Sequence, residues 1–85
     1  MAETRVWLVD RTYNDKGMVR LVYATTDGDR YLRRQLSERM LMQKDVTAAV
    51  DVEDDRLEPT PDEERERYAA EATRMSDDHD PDEAV

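Results

Sequence analysis

Two apolar runs, residues 4–13 and 18–25, flank the tetrapeptide Asn14-Asp15-Lys16-Gly17 and constrain the fold more than any other feature of the chain. Both runs are rich in Val, Leu and aromatic residues, which suit a pleated, half-buried surface, and the residues between them carry turn chemistry. They are predicted to form an antiparallel β-hairpin. With regular alternation, Val6 and Leu8 share one face of the first strand, and Arg5, Trp7, Val9, Arg11 and Tyr13 share the other. In the second strand Val19, Leu21 and Tyr23 oppose Met18, Arg20, Val22 and Ala24.

What the hairpin packs against is limited by supply. The chain has 85 residues, no Phe and one Trp. It is long enough for one domain, and a domain of that size buries a modest fraction of its surface. Sharing a core with a second copy relieves that shortage, so a homo-oligomer is expected.

Residues 28–44, GDRYLRRQLSERMLMQK, hold five basic and two acidic residues. Read as a helix capped by Asp29, they place Leu32, Leu36 and Met40 at i, i+4 and i+8, with Arg30, Arg34, Ser37 and Lys44 opposite and Arg33 near the border. Read as a strand over 31–36, they pair with the second strand through an Asp27-Gly28 turn, and a short helix capped by Ser37 follows. The helix is favoured because the 3.6-residue period runs through most of the stretch, although Arg39 and Leu41 fall on the wrong sides.

Val46, Ala48, Val50 and Val52 alternate in phase and predict a strand over 46–53. Thr60, Pro61, Asp62 and Glu63 have the form of a capping box with proline at the first helical position, so a helix is predicted from there to about Met75. Its apolar stripe is Tyr68, Ala72 and Met75, and Glu63 with Arg67 supplies an i, i+4 pair. Residues 76–85, SDDHDPDEAV, offer little to bury and are expected as a disordered acidic tail behind a single domain over 1–75. The predicted class is α+β: an antiparallel hairpin plus a further strand, a basic amphipathic helix and an acidic C-terminal helix.

The net charge is −9, divided unevenly. Residues 1–50 carry nine basic and seven acidic side chains, and residues 51–85 carry four and fifteen. The 22 acids include 13 Asp, while 11 of the 13 basic residues are Arg. This aspartate-rich, lysine-poor composition resembles that of small acidic uncharacterised proteins of haloarchaea. The resemblance covers the whole chain and implies a salt-adapted surface without implying an activity. No apolar run is long enough for a signal peptide or a spanning helix, so a cytoplasmic location and no membrane partner are expected.

Catalytic chemistry has little material. The single histidine, His79, lies in the polar tail, the serines are Ser37 and Ser76, and no cysteine is present. A nucleophile, base and orienting acid cannot be assembled, and disulfides and thiolate metal sites are excluded. The sequence DDHDPD at 77–82 lacks the spacing of a calcium loop. No catalytic residue, metal site or cofactor is expected.

Interaction chemistry is better represented. Arg30, Arg33, Arg34 and Lys44 cluster on the polar side of the favoured helix, and Arg5, Trp7, Arg11, Tyr13 and Arg20 gather on one face of the hairpin. Arginine beside aromatic side chains suits phosphate neutralisation and base stacking, which makes nucleic acid a possible partner. The same groups suit a protein partner, because Arg stems pack on aromatics while guanidinium groups pair with carboxylates. Glu64, Glu66 and Glu71 of the C-terminal helix, in the same chain or a second copy, are the expected counter-charges. The predicted function is a non-enzymatic protein interaction module, with nucleic-acid binding as the alternative.

Overall fold

A computed structural model describes residues 2–14, 16–37, 39–40 and 46–85. The predicted hairpin is present as β1 (Glu3–Tyr13) and β2 (Met18–Ala24), paired antiparallel from Trp7↔Ala24 to Tyr13↔Val19. Asn14 closes it: its side-chain oxygen accepts the N–H groups of Lys16 and Met18 at 2.9 and 3.0 Å, and Gly17 takes φ +75°.

The stretch favoured as a basic helix is instead a third strand, β3 (Arg30–Ser37), antiparallel to β2 from Ala24↔Tyr31 to Met18↔Ser37. The physical reason lies in the spacing of Leu32 and Leu36. Four positions is one turn of helix and also an even number, so it keeps two residues on one face in either structure. The turn decides between them. Gly28 sits at φ +75°, and Asp27 accepts the Asp29 N–H at 2.9 Å and the Thr25 hydroxyl at 2.5 Å. Arg39 and Met40 then begin a helical turn, in which the Met40 N–H donates to Ser37 Oγ at 3.3 Å.

The strand predicted over 46–53 is shorter, β4 (Ala49–Glu53), and pairs antiparallel with β1 from Glu3↔Glu53 to Trp7↔Ala49. A single 3-10 turn, Asp54–Arg56, leads to β5 (Glu58–Pro59), which pairs antiparallel with Arg30 and Tyr31 of β3. The sheet order is therefore β4-β1-β2-β3-β5, with consecutive strands β4 and β5 on opposite edges. Four flat interstrand spacings span about 19 Å, whereas the five steps from Glu53 to Glu58 reach at most about 17 Å extended, and less through a 3-10 turn. The sheet must curl to let this connection reach. Its concave side holds Val6, Val19, Leu21 and Tyr23, all at most 2% exposed, with Leu57 of the connection packed against them. Burying each such side chain stabilises the fold by roughly 1.5–3 kcal/mol.

The convex side is covered by α1 (Asp62–Asp78). Tyr68 packs on Val22, Ala24 and Tyr31, and Ala72 on Trp7, Ala48 and Ala49. The stripe Tyr68, Ala72 and Met75 is thus the docked one, as its spacing predicts. The cap differs from expectation. Pro61 is the N-cap and no side chain caps the helix, because Thr60 is drawn into the sheet, where its N–H donates to the Asp29 carbonyl at 3.0 Å.

Residues 76–85 also differ from the expected disordered tail. The helix continues to Asp78, and the following residues turn back along the segment before β4. Thr47 and Ala84 form an antiparallel bridge, Ala48 N–H donates to the Glu83 carbonyl at 2.9 Å, and Val85 N–H donates to the Val46 carbonyl at 2.8 Å. An acidic, hydrated side-chain set is compatible with this path because the backbone makes the contacts.

Candidate interaction surface

The strand periodicity of β3 separates the arginines that a helix would have gathered. Arg33 falls on the convex face with Tyr31 and Gln35, opposite Val22 and Arg20, while Arg30 and Arg34 fall on the concave side with Leu32 and Leu36. Arg30 and Arg33 are exposed and Arg34 is half-buried. Lys44 lies outside the described residues.

The hairpin candidates are also divided, by a bulge. The register of β1 against β2 shifts between Leu8 and Asp10, so one extra residue reverses the alternation. Arg5 and Trp7 remain on the convex face, but Arg11 and Tyr13, opposite Leu21 and Val19, are carried to the concave side. Trp7 is 8% exposed and belongs to the helix-covered core, so it offers no ring for stacking. Arg5 is paired with Asp51 of β4 at 2.9 Å, which holds the Asp51 carboxyl below its ordinary range through the hydrogen bond first. Arg11 donates to the Val85 carbonyl at 2.9 Å. On the concave side, burial pushes the Tyr23 hydroxyl up against the opposing pull of Arg34 and Arg11. Tyr13 is 58% exposed at the end of β1.

The acidic helix does not answer the arginines of β3. Glu64 is paired with Arg67 at 2.7 Å and Glu71 with Arg74, both within the helix, in place of the expected Glu63–Arg67 pair. Arg65 bridges Asp62 at 2.9 Å and Asp29 at 3.5 Å, tying the β2–β3 turn to the first turn of α1. The Arg67 guanidinium also lies 5.2 Å from the centre of the Tyr68 ring. Among the described residues, no ion pair includes Arg20, Arg30, Arg33 or Arg34.

Where α1 does not reach, the convex face is left as an open groove lined by Thr12, Asn14, Met18, Arg20, Arg33 and Gln35. Arg20 stands opposite Gln35 and therefore diagonal to Arg33 on one face, with Cβ atoms about 7 Å apart. Two neighbouring guanidinium groups with amide and hydroxyl groups beside them are suited to a carboxylate or phosphate anion. Arg20 and Arg33 are among the residues expected from charge, whereas Thr12, Asn14, Met18 and Gln35 are not, because they become neighbours only when 31–36 is a strand. The described residues that line the groove include no carboxylate or imidazole. Among the described residues there is no cluster of three or more metal-ligating side chains, and no helix is long and apolar enough to cross a membrane.

Residues 1–85 match the model of one family, described as a family of unknown function (DUF7967), and the chain belongs to it. No curated protein and no solved structure matches the chain.

Proposed function

We propose that this member of the DUF7967 family is a non-enzymatic, salt-adapted interaction module whose partner is an acidic segment of another protein. The observation that carries the reading is the set Arg20, Arg30, Arg33 and Arg34, which has no carboxylate partner among the described residues although the chain holds 22 acids. Of the seven other arginines, Arg5, Arg65, Arg67 and Arg74 are paired, and Arg11, Arg39 and Arg56, which are not gathered on β2 and β3, are in no ion pair among the described residues. A carboxylate-bearing partner fits the unpaired set, since guanidinium groups bind carboxylates in a planar, bidentate manner.

Self-association is a weaker fit. Most apolar residues of the sheet are buried within one chain, Leu32 and Leu36 at the β3 edge are half-buried, and Tyr13 and Met40 are the exposed large apolar residues among those described. Nucleic acid is likewise less well served, with Arg33 and Arg34 on opposite faces and Trp7 buried. Light scattering in molar potassium chloride, with and without cellular RNA and DNA, tests the reading. A particle indifferent to nucleic acid is expected. Co-elution with nucleic acid that is abolished by replacing Arg30, Arg33 and Arg34 together would establish the alternative.

A further inference from the structure

Among the described residues, the outer edge of β3 is strand-paired only at its start. Strand β5 covers only Arg30 and Tyr31, so residues 32–37 have no strand partner on that side among the described residues. The direction of their backbone groups follows from the ladder. The Arg30 carbonyl accepts the Thr25 N–H at 3.1 Å on the β2 side, while the Asp29 carbonyl accepts the Thr60 N–H at 3.0 Å on the outer side. Alternation then turns the N–H and C=O groups of Arg33 and Gln35 outward, away from β2. An unpaired edge of this kind is a template for another strand.

The side chains along the edge define what such a strand carries. On the convex face Arg33 and Gln35 meet it, with Arg20 one strand further in. On the concave face it meets Leu32, Arg34 and Leu36, of which both leucines are half-buried against the core. We propose that the open edge of β3 receives an extended acidic segment of a partner protein as an additional strand of the sheet. Its main chain bonds to Arg33 and Gln35, its convex-face residues are carboxylates set against Arg33 and Arg20, and its concave-face residues are mainly apolar and extend the Leu32 and Leu36 surface. Main-chain pairing of this type supplies affinity while alternate side chains supply specificity. It also survives ionic strengths that screen simple charge attraction. This rests on the acidic-partner reading and adds the mode of binding.

Amide hydrogen exchange of the full chain, with and without a synthetic peptide alternating glutamate and valine and about ten residues long, tests it. Slowing of exchange at Arg33 and Gln35 by roughly tenfold or more is expected in the complex. Gln35→Pro removes one outward N–H and leaves the β2 ladder intact, as edge strands tolerate. It should abolish peptide binding while the amides of Val19 and Leu21 stay protected. If that variant fails to fold, Arg33→Glu with Arg34→Glu serves instead and should weaken binding by about tenfold or more. Peptide binding without protection of the Arg33 and Gln35 amides overturns strand addition and leaves the acidic-partner reading standing. Absence of peptide binding overturns both, as does protection of these amides by RNA in place of the peptide.

Discussion

Gly28, in the turn between β2 and β3, lies directly against the backbone of Arg65 in α1. A Cβ atom at Gly28 would collide with the Arg65 carbonyl oxygen and come within 2.9 Å of both the amide nitrogen and the Cβ of Ala69. The glycine is also at φ +75°, where an L side chain is strained. It therefore both closes the hairpin that makes β3 a strand and sets the distance at which the helix docks. Gly28→Ala is predicted to destabilise the fold by roughly 2–4 kcal/mol, combining the left-handed backbone penalty with overpacking. Urea denaturation measures this, and a change within experimental error would mean that the turn and helix do not touch.

The C-terminal residues are predicted to stabilise the sheet. Deleting residues 80–85 removes the acceptors of the Ala48 and Ala49 N–H groups and the carbonyl that receives Arg11. A loss on the order of 2–3 kcal/mol is expected from these bonds. Thermal denaturation of the shortened chain checks it, and an unchanged midpoint would restore the picture of a disordered tail.

Asp27 is predicted to give the fold part of its acid sensitivity. Its carboxyl is held below the ordinary range by the Thr25 hydroxyl first and the Asp29 N–H second. The folded-state pKa is thus lower than the unfolded one. The stabilisation is present above the unfolded value of about 3.9 and is lost as pH falls through the folded value. Asp51, beside Arg5, and Glu83, beside His79, act in the same direction. Protonating the remaining acids relieves self-repulsion, so the informative quantity is a difference. Asp27→Asn keeps an acceptor oxygen but cannot titrate, and its stability should fall less steeply than that of the parent below about pH 4. Identical slopes would contradict the assignment.

Salt is predicted to stabilise the chain. With a net charge of −9 and most acids on the C-terminal portion, removing counter-ions leaves repulsion along α1 unscreened beyond its own i, i+3 pairs. Circular dichroism during dilution from molar potassium chloride should show loss of structure. A spectrum that does not change would count against salt adaptation.

The parts of this fold that were legible in the sequence are those where one period alone fits. Residues 4–13 and 18–25 are β-prone runs around an Asn-to-Gly turn, and Tyr68, Ala72 and Met75 repeat at helical spacing. Residues 30–37 were not legible, because Leu32 and Leu36 satisfy the helical and the strand period alike, and the docking of Gly28 on α1, which favours the strand, is a long-range contact. The bulge in β1 was hidden for another reason. Val9 ends the apolar run Val6-Trp7-Leu8-Val9, so nothing in that run marks which residue is the extra one that moves Arg11 and Tyr13 to the concave side. The candidate surface inherited both errors. Its arginines were found by charge, but their grouping depends on strand register, and so Gln35 and the open edge were missed.

The arginine-bearing edge of β3 is proposed to take an acidic polypeptide. Paired titrations in molar potassium chloride test it most directly, using the fluorescent glutamate–valine peptide and a single-stranded DNA of equal charge against the parent chain and the Arg33→Glu, Arg34→Glu variant. Peptide binding at least about tenfold tighter than DNA binding, and lost in the variant, is the predicted result. Equal or tighter binding of DNA, or peptide binding that the variant leaves unchanged, would contradict it.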